Sequence, residues 1–317
     1  MHKPAIIDAL LTFGTFPAVF GGVMATGIYG IAHGWDPALT ATGLTAVAVA
    51  SLLVLERLHP YQEQWLHGHG DLKTDLAHNL VNFWIAPLYA VLFVGAFTAA
   101  AAWLSHTIDM PLWPSRWPLV VQLLLALLIG ELGTYWVHRW MHENPFLWRF
   151  HAAHHSAPRL YWLNAGRFHP IDLFMQHFVA ATPLVLMGAG TGIIALHTLF
   201  TAVHGLFQHC NVHVKLGPLN WVFSMAELHR WHHSKRLAES NTNYGANIIW
   251  WDIVFGSRFL PPDRQPPTQI GIESLPNFPP GYGAQLLSPF RWRETEIAGR
   301  ALACYGSRDD ALRSSHD

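Results

Sequence analysis

The sequence predicts an all-α fold, a polytopic bundle of membrane helices with a histidine-rich helical cap. Of its 317 residues, 51% are hydrophobic and 12% are charged, about half the charge of typical soluble domains. Several uncharged runs reach the ~20 residues that a membrane-spanning helix needs. Ten of the 22 histidines fall in four short groups at helical spacing. The apolar composition and the net charge of -1 exclude a disordered chain and a nucleic-acid-binding protein.

The first two predicted spans lie near the N-terminus. Between Asp8 and Asp36 there are 27 uncharged residues, and between Asp36 and Glu56 there are 19. The first run is longer than the apolar part of a secretory signal peptide and is interrupted by glycines. We therefore interpret it as a retained span.

The next uncharged runs cover residues 76–108 and 117–137, the latter interrupted only by Glu131. A last run, 173–214, is long enough for two shorter helices separated by a turn at Gly188, Gly190 and Gly192. Each of these two helices would be short for a hydrocarbon core of about 30 Å. Residues 173–208 could therefore form either tilted spans or a re-entrant hairpin.

The distribution of basic residues predicts the orientation. If the spans alternate, most Lys and Arg side chains fall on the side of the histidine groups, whereas Arg116 falls on the other side. The positive-inside rule then places the histidine groups in the cytoplasm. From 261 to 317 the chain becomes proline-rich and then polar, which predicts a cytosolic C-terminal extension.

The four histidine groups carry the strongest signal for function. An α-helix advances about 100° per residue, so positions i, i+3 and i+4 share one face and can direct their imidazoles at one point. The groups follow the patterns HxxxH, HxxHH, HxxxH and HxxHH, and comprise His138 and His142; His151, His154 and His155; His209 and His213; and His229, His232 and His233.

A single HxxxH pair is more often a packed or surface pair than a ligand pair, but four such groups on one side of a membrane predict a metal centre. Neutral imidazole suits zinc, copper and iron. Ten ligands exceed what one tetrahedral site uses, which predicts two ions. The HExxH, GxSxG and P-loop motifs of common hydrolases and nucleotide-binding proteins do not occur in the sequence.

At these residues the sequence resembles the fatty acid hydroxylase and sterol desaturase superfamily of integral membrane di-iron oxygenases. The resemblance is densest in YWVHRWMHENPFLWRFHAAHHS, in RFHPID and in ELHRWHHSKRLAESNTNYGANIIWWDIVFGSRF. It implies a catalytic domain over 71–260, preceded by an N-terminal pair of spans in 1–70 whose role is not defined. It also implies that the ten histidines hold two iron ions, with zinc as a substitute in purified protein.

Four further residues are candidates to contact the ligands. Glu131 lies two helical turns before His138 in an apolar span. An ionisable group is costly there and indicates function, such as accepting a hydrogen bond from an imidazole N–H. The alternative is a glutamate at the membrane boundary that contacts interfacial water. His169 could be an accessory ligand or a packed loop residue, and a structural or ligand-supporting role is favoured for it. Asn164 and Asp252 could orient ligands or hold the cap together.

The resemblance implies O2-dependent hydroxylation or desaturation of a lipid C–H bond, in a sterol, fatty acyl chain or related lipid. No haem, flavin or nicotinamide motif is visible, which predicts an external electron-transfer partner. The alternatives are a membrane zinc-dependent hydrolase of a lipid ester or phosphate and, less favoured because the histidines lie at span ends, a metal carrier.

Overall fold

The structure, a computed structural model, describes residues 4–108 and 111–300. Within these ranges the fold is helical, with three isolated β-bridges. The long helices are α1 (Ala5–Ala32), α2 (Pro37–Leu58), α3 (Leu72–Ile108), α4 (Leu119–Glu143), α5 (Pro145–His155), α6 (Pro170–Leu186) and α7 (Thr191–His209). The shorter ones are α8 (Ala226–His232), α9 (Leu237–Ser240), α10 (Trp250–Val254), α11 (Tyr282–Leu287) and α12 (Trp292–Arg300).

Local sequence signals set the helix boundaries. Asp36 accepts a hydrogen bond from Leu39 N at 2.8 Å and precedes a proline at the first position of α2. Asn144 caps α5 in the same way. Between α6 and α7, Gly188 has φ +83°, a conformation that glycine adopts without strain. The predicted turn at this position is confirmed.

Helix α4 lies at the centre of the bundle. It packs against α6, which also contacts α3, and against α7, which also contacts α1 and α2. A Cβ atom on Gly133 of α4 would lie 2.8 Å from Val179 O of α6, so this glycine permits the close approach of the two helices. The largest apolar core joins α1 and α7 and includes Phe16, Phe20 and Phe207.

Three of the described helices, α1, α2 and α4, are long and apolar enough to cross a membrane. They correspond to the first, second and fourth predicted spans. The third predicted span lies in α3, whose side chains at 87, 90–94, 96 and 108 are outside the description. Helix α6 is a shorter apolar helix of 17 residues.

The C-terminal segment packs across the outer face of the cap. Ser234 and Ile270 form an isolated bridge, and Leu275, Phe278 and Trp292 pack against Ala152 and Ala153 of α5. The part of the predicted extension from 301 to 317, with Cys304, lies outside the described residues.

Candidate metal centre

The candidate ligands lie where four helices meet at one end of the bundle. The last two turns of α4, the second half of α5, the end of α7 and the end of α8 converge there. Nine of the ten predicted histidines form two groups, and within each group the ligand atoms lie within 4.8 Å of one another. Group one comprises His138, His142, His151, His155 and His232, and group two comprises His154, His209, His229 and His233.

Each HxxHH motif contributes to both groups. In α5 the i and i+4 residues, His151 and His155, join group one, while the i+3 residue His154 joins group two. In the motif at α8, the i+3 residue His232 joins group one, while the i and i+4 residues His229 and His233 join group two. Positions i+3 and i+4 diverge by about 100° around a helix, so one motif can serve two adjacent sites. The rings of His155 and His233 stack at 4.4 Å between centroids, which places the groups side by side.

Hydrogen bonds fix the orientation of most of these imidazoles. An Nδ1 atom that faces an oxygen must carry the proton, which leaves the lone pair on Nε2 free for a metal ion. The Nδ1–H bonds run from His138 to Tyr244 O (2.7 Å), His142 to Asn241 Oδ1 (3.2 Å), His151 to Asp172 Oδ2 (2.8 Å), His232 to Thr242 O (2.8 Å), His154 to Arg167 O (3.3 Å) and His209 to Asn164 Oδ1 (2.9 Å).

Several Nε2 atoms lie in close pairs, as they would around a shared metal ion. His138 Nε2 and His151 Nε2 are 3.1 Å apart, and both rings carry their proton on Nδ1, so two lone pairs face each other. In group two, His229 Nε2 lies 2.9 Å from His209 Nε2. Imidazole nitrogens about 2.1 Å from one ion are about 3.4 Å apart in a tetrahedral site, close to these distances. The Nε2 atoms of His142 and His232 are buried without a hydrogen-bond partner, as ligand atoms would be. The residues present therefore fit two metal ions.

The electrostatic setting keeps the imidazoles neutral, the form that binds a metal. Burial, with the neighbouring histidines adding to it, lowers the pKa well below its usual range for His154, His155, His229, His232 and His233. These five side chains are at most 4% exposed.

The structure does not bring His213 to either group. Helix α7 ends at His209, so the four-residue spacing no longer places the two histidines on one helix face. His213 is half-buried, its backbone N donates to His59 O, and its ring lies 5.4 Å from that of His59.

Of the four supporting candidates, Asn164 contacts a ligand directly and Asp252 supports a ligand indirectly. Asn164 accepts from His209, as described above. Asp252 acts one step further away, because its carboxylate accepts from Tyr244 N and Gly245 N, each at 2.8 Å, and Tyr244 O accepts from His138. Burial raises the pKa of Asp252 to about 6.

The other two supporting candidates contact no ligand. The carboxylate of Glu131 accepts from Asn247 N and Asn247 Nδ2, both at 2.8 Å, so these bonds replace the expected imidazole contact. His169 caps α6, since its Nδ1 accepts from Ile171 N and its Nε2 donates to Leu286 O.

The sequence argument missed Asp172. This residue in the first turn of α6 is fully buried and accepts from His151. The RFHPID segment was noted, but an acidic residue at a helix start is favourable in any helix and gives no signal for a metal site.

Comparison with known proteins places the chain in a family. The fatty acid hydroxylase family model matches residues 123–257, which include all nine converging histidines. Ornithine lipid hydroxylase OlsE of Rhizobium tropici is 42% identical over 257 residues, 80% of this chain and 76% of that protein. The chain belongs to the fatty acid hydroxylase family, and the predicted superfamily is confirmed.

Other relatives share the histidine-rich region. Alkylglycerol monooxygenase of Danio rerio is 30% identical over 152 residues, 48% of this chain and 32% of that protein. Methylsterol monooxygenase erg25B of Aspergillus fumigatus is 24% identical over 156 residues, 47% of this chain and 51% of that protein. No solved structure matches. The relatives support a membrane lipid oxidoreductase of the hydroxylase and desaturase class over the hydrolase.

Proposed function

We propose that the chain hydroxylates an ornithine lipid or a closely similar aminoacyl lipid, using O2 and two iron ions. The observation that carries the metal centre is the convergence of nine imidazole nitrogens, one from each histidine, in two adjacent groups. The similarity to ornithine lipid hydroxylase OlsE supports hydroxylation and this lipid class, since that relative covers most of the chain.

In this proposal group one and group two each hold one iron ion. Bound iron would supply the activation of O2 and the oxidation of an unactivated C–H bond. The protein residues hold the ligands in place: Asp172 and Asn164 accept the Nδ1 protons of one ligand in each group. The burial of the ligands excludes bulk water, which limits side reactions of a strong oxidant.

Two further parts of the proposal concern the surroundings of the site. Electrons come from a separate electron-transfer protein, since the sequence shows no motif for a redox cofactor of its own.

The metal centre faces the cytoplasm, as the distribution of basic residues favours. Leu237 lies on α9 and is 69% exposed. A thiol reagent that does not cross membranes should therefore label the cysteine of Leu237→Cys only after the cells are permeabilised.

The proposed function is tested with the purified protein loaded with iron, in detergent with ornithine lipid, a reductant and isotopically labelled dioxygen. We expect a labelled hydroxyl group in the lipid, detected by mass spectrometry. His232→Ala should abolish the product, whereas His213→Ala, a histidine outside both groups, should retain it.

Absence of O2 consumption and of an oxidised lipid with the iron-loaded protein would overturn the proposal. Lipid cleavage without O2 or reductant would instead support the zinc-dependent hydrolase. A product with one additional C=C double bond and no labelled oxygen would instead indicate desaturation.

A further inference from the structure

Helix α2 reaches the surroundings of the metal centre through the buried side chain of Glu56. Glu56 lies in the last turn of α2 and is 5% exposed. Its Oε1 atom accepts two backbone hydrogen bonds, from Trp162 N at 2.8 Å and from Asn211 N at 2.9 Å. One oxygen therefore joins two chain segments that are far apart in sequence.

These two segments carry the two partners of a ligand-orienting hydrogen bond. Trp162 begins the 3-10 helix Trp162–Gly166, which contains Asn164. Asn211 follows His209 by two residues, and His209 Nδ1 donates to Asn164 Oδ1 at 2.9 Å. The side-chain amide of Asn164 donates to Arg159 O, which turns its oxygen towards His209.

A buried guanidinium holds the same backbone from another side. Arg230 is 1% exposed, follows the group-two ligand His229, and donates to Cys210 O at 3.0 Å and Val212 O at 2.9 Å. In the segment after His209, the N–H group of Asn211 is thus held by Glu56, and the carbonyl groups of Cys210 and Val212 are held by Arg230.

We infer that Glu56 is a positioning residue for group two, and that α2 therefore supports the metal centre rather than serving only as a membrane anchor. The inference rests on the proposed metal-binding role of group two. Glu56 acts through geometry: its oxygen sets the separation between Asn164 and His209, and through it the direction of His209 Nε2.

Two conservative variants separate geometry from charge. Glu56→Gln keeps an oxygen at the same distance but loses the charge, whereas Glu56→Asp keeps the charge and withdraws the oxygen by about one C–C bond, beyond the reach of both N–H groups. Arg57→Gln is the matched control, because Arg57 is exposed and donates to Leu53 O of its own helix. The probe is zinc or ferrous ion alone, titrated against a competing chelator in detergent.

We expect Glu56→Asp to lower the affinity of group two for its metal ion by about 10–100-fold, the range seen when residues that orient metal ligands are changed. Glu56→Gln and Arg57→Gln should stay within about threefold of the wild type. Combining Glu56→Asp with Asn164→Ala should add little further loss, because both act through the same His209 bond.

Wild-type affinity for both ions in Glu56→Asp, or additive losses in the double variant, would overturn the inference. Equal losses in Glu56→Asp and Glu56→Gln would also overturn it, since charge and not geometry would then be the cause. Because the readout is metal affinity in the absence of lipid, a negative lipid assay leaves this result unaffected.

Discussion

Replacement of Asp172 by alanine is expected to weaken metal binding in group one. The carboxylate is fully buried, its Oδ2 accepts from His151 Nδ1 at 2.8 Å, and its Oδ1 accepts from Gln176 Nε2 at 2.7 Å. Asp172→Ala leaves the His151 N–H buried without a partner, which costs about 1–3 kcal/mol. Loss of such an acceptor lowers metal affinity by about 10–100-fold, or about 1.4–2.7 kcal/mol.

The charge and the hydrogen bond can be separated. In Asp172→Asn the amide oxygen still accepts from His151, and Gln176 can turn its own amide to pair with the new N–H group. We therefore expect a loss of about tenfold or less in Asp172→Asn. Gln176→Ala removes the contact to the other carboxylate oxygen and serves as the control for local packing.

The assay is competition with a chelator to equilibrium, together with the metal content of the purified protein. Asn164→Ala, which removes the acceptor of His209, provides the comparison in group two. Wild-type affinity in Asp172→Ala would refute the role of this hydrogen bond. An equal loss in Gln176→Ala would show that the effect comes from packing of α6 and not from His151.

Three other predictions follow from the same geometry. His213→Ala should leave the metal content unchanged while His209→Ala lowers it, and a loss of metal in His213→Ala would contradict the placement of its side chain outside both groups. Gly245→Ala should destabilise the protein by about 2 kcal/mol or more and lower its melting temperature, because the new Cβ atom would lie 2.6 Å from Ile248 O. Gly205→Ala is the control and should leave the melting temperature unchanged, because the space around its Cβ atom is open. The free energy of unfolding should fall as the pH drops below about 6.5. Burial lowers the pKa of five histidines, so the unfolded chain takes up protons there that the native state does not. Each of these histidines should contribute up to about 1.4 kcal/mol per pH unit. Thermal unfolding in detergent at several pH values measures this, and a stability that is flat or rises towards acid would contradict it.

Much of the site was predictable because its signal is local. The i, i+3 and i+4 spacings in the two HxxHH motifs predict six candidate ligands, and the structure brings all six into the two groups. The division of the ligands between two ions was not predictable, since it depends on how these two helices face each other. His213 shows the limit of the spacing argument, which fails when the helix ends between the two residues.

The supporting residues depended on tertiary contacts. Asp172 is 21 residues from His151 in sequence, and its role appears only when α6 packs beside α5. Glu131 was correctly noted as a costly buried charge, but nothing in the local pattern indicated Asn247 as its partner. Likewise, Glu56 was one residue at the end of a predicted span, with partners 106 and 155 positions away.

The near-complete enclosure of the imidazoles has a kinetic consequence. A chelator or an incoming ion in the aqueous phase reaches buried nitrogens only when the C-terminal segment over α5 detaches locally, or when the helices separate. Exchange rates are then set by these rare openings and not by the strength of the coordinate bonds. A chain that folds in iron-poor cells would therefore be slow to acquire its ions afterwards, and the iron supply during synthesis would determine how much of it becomes active.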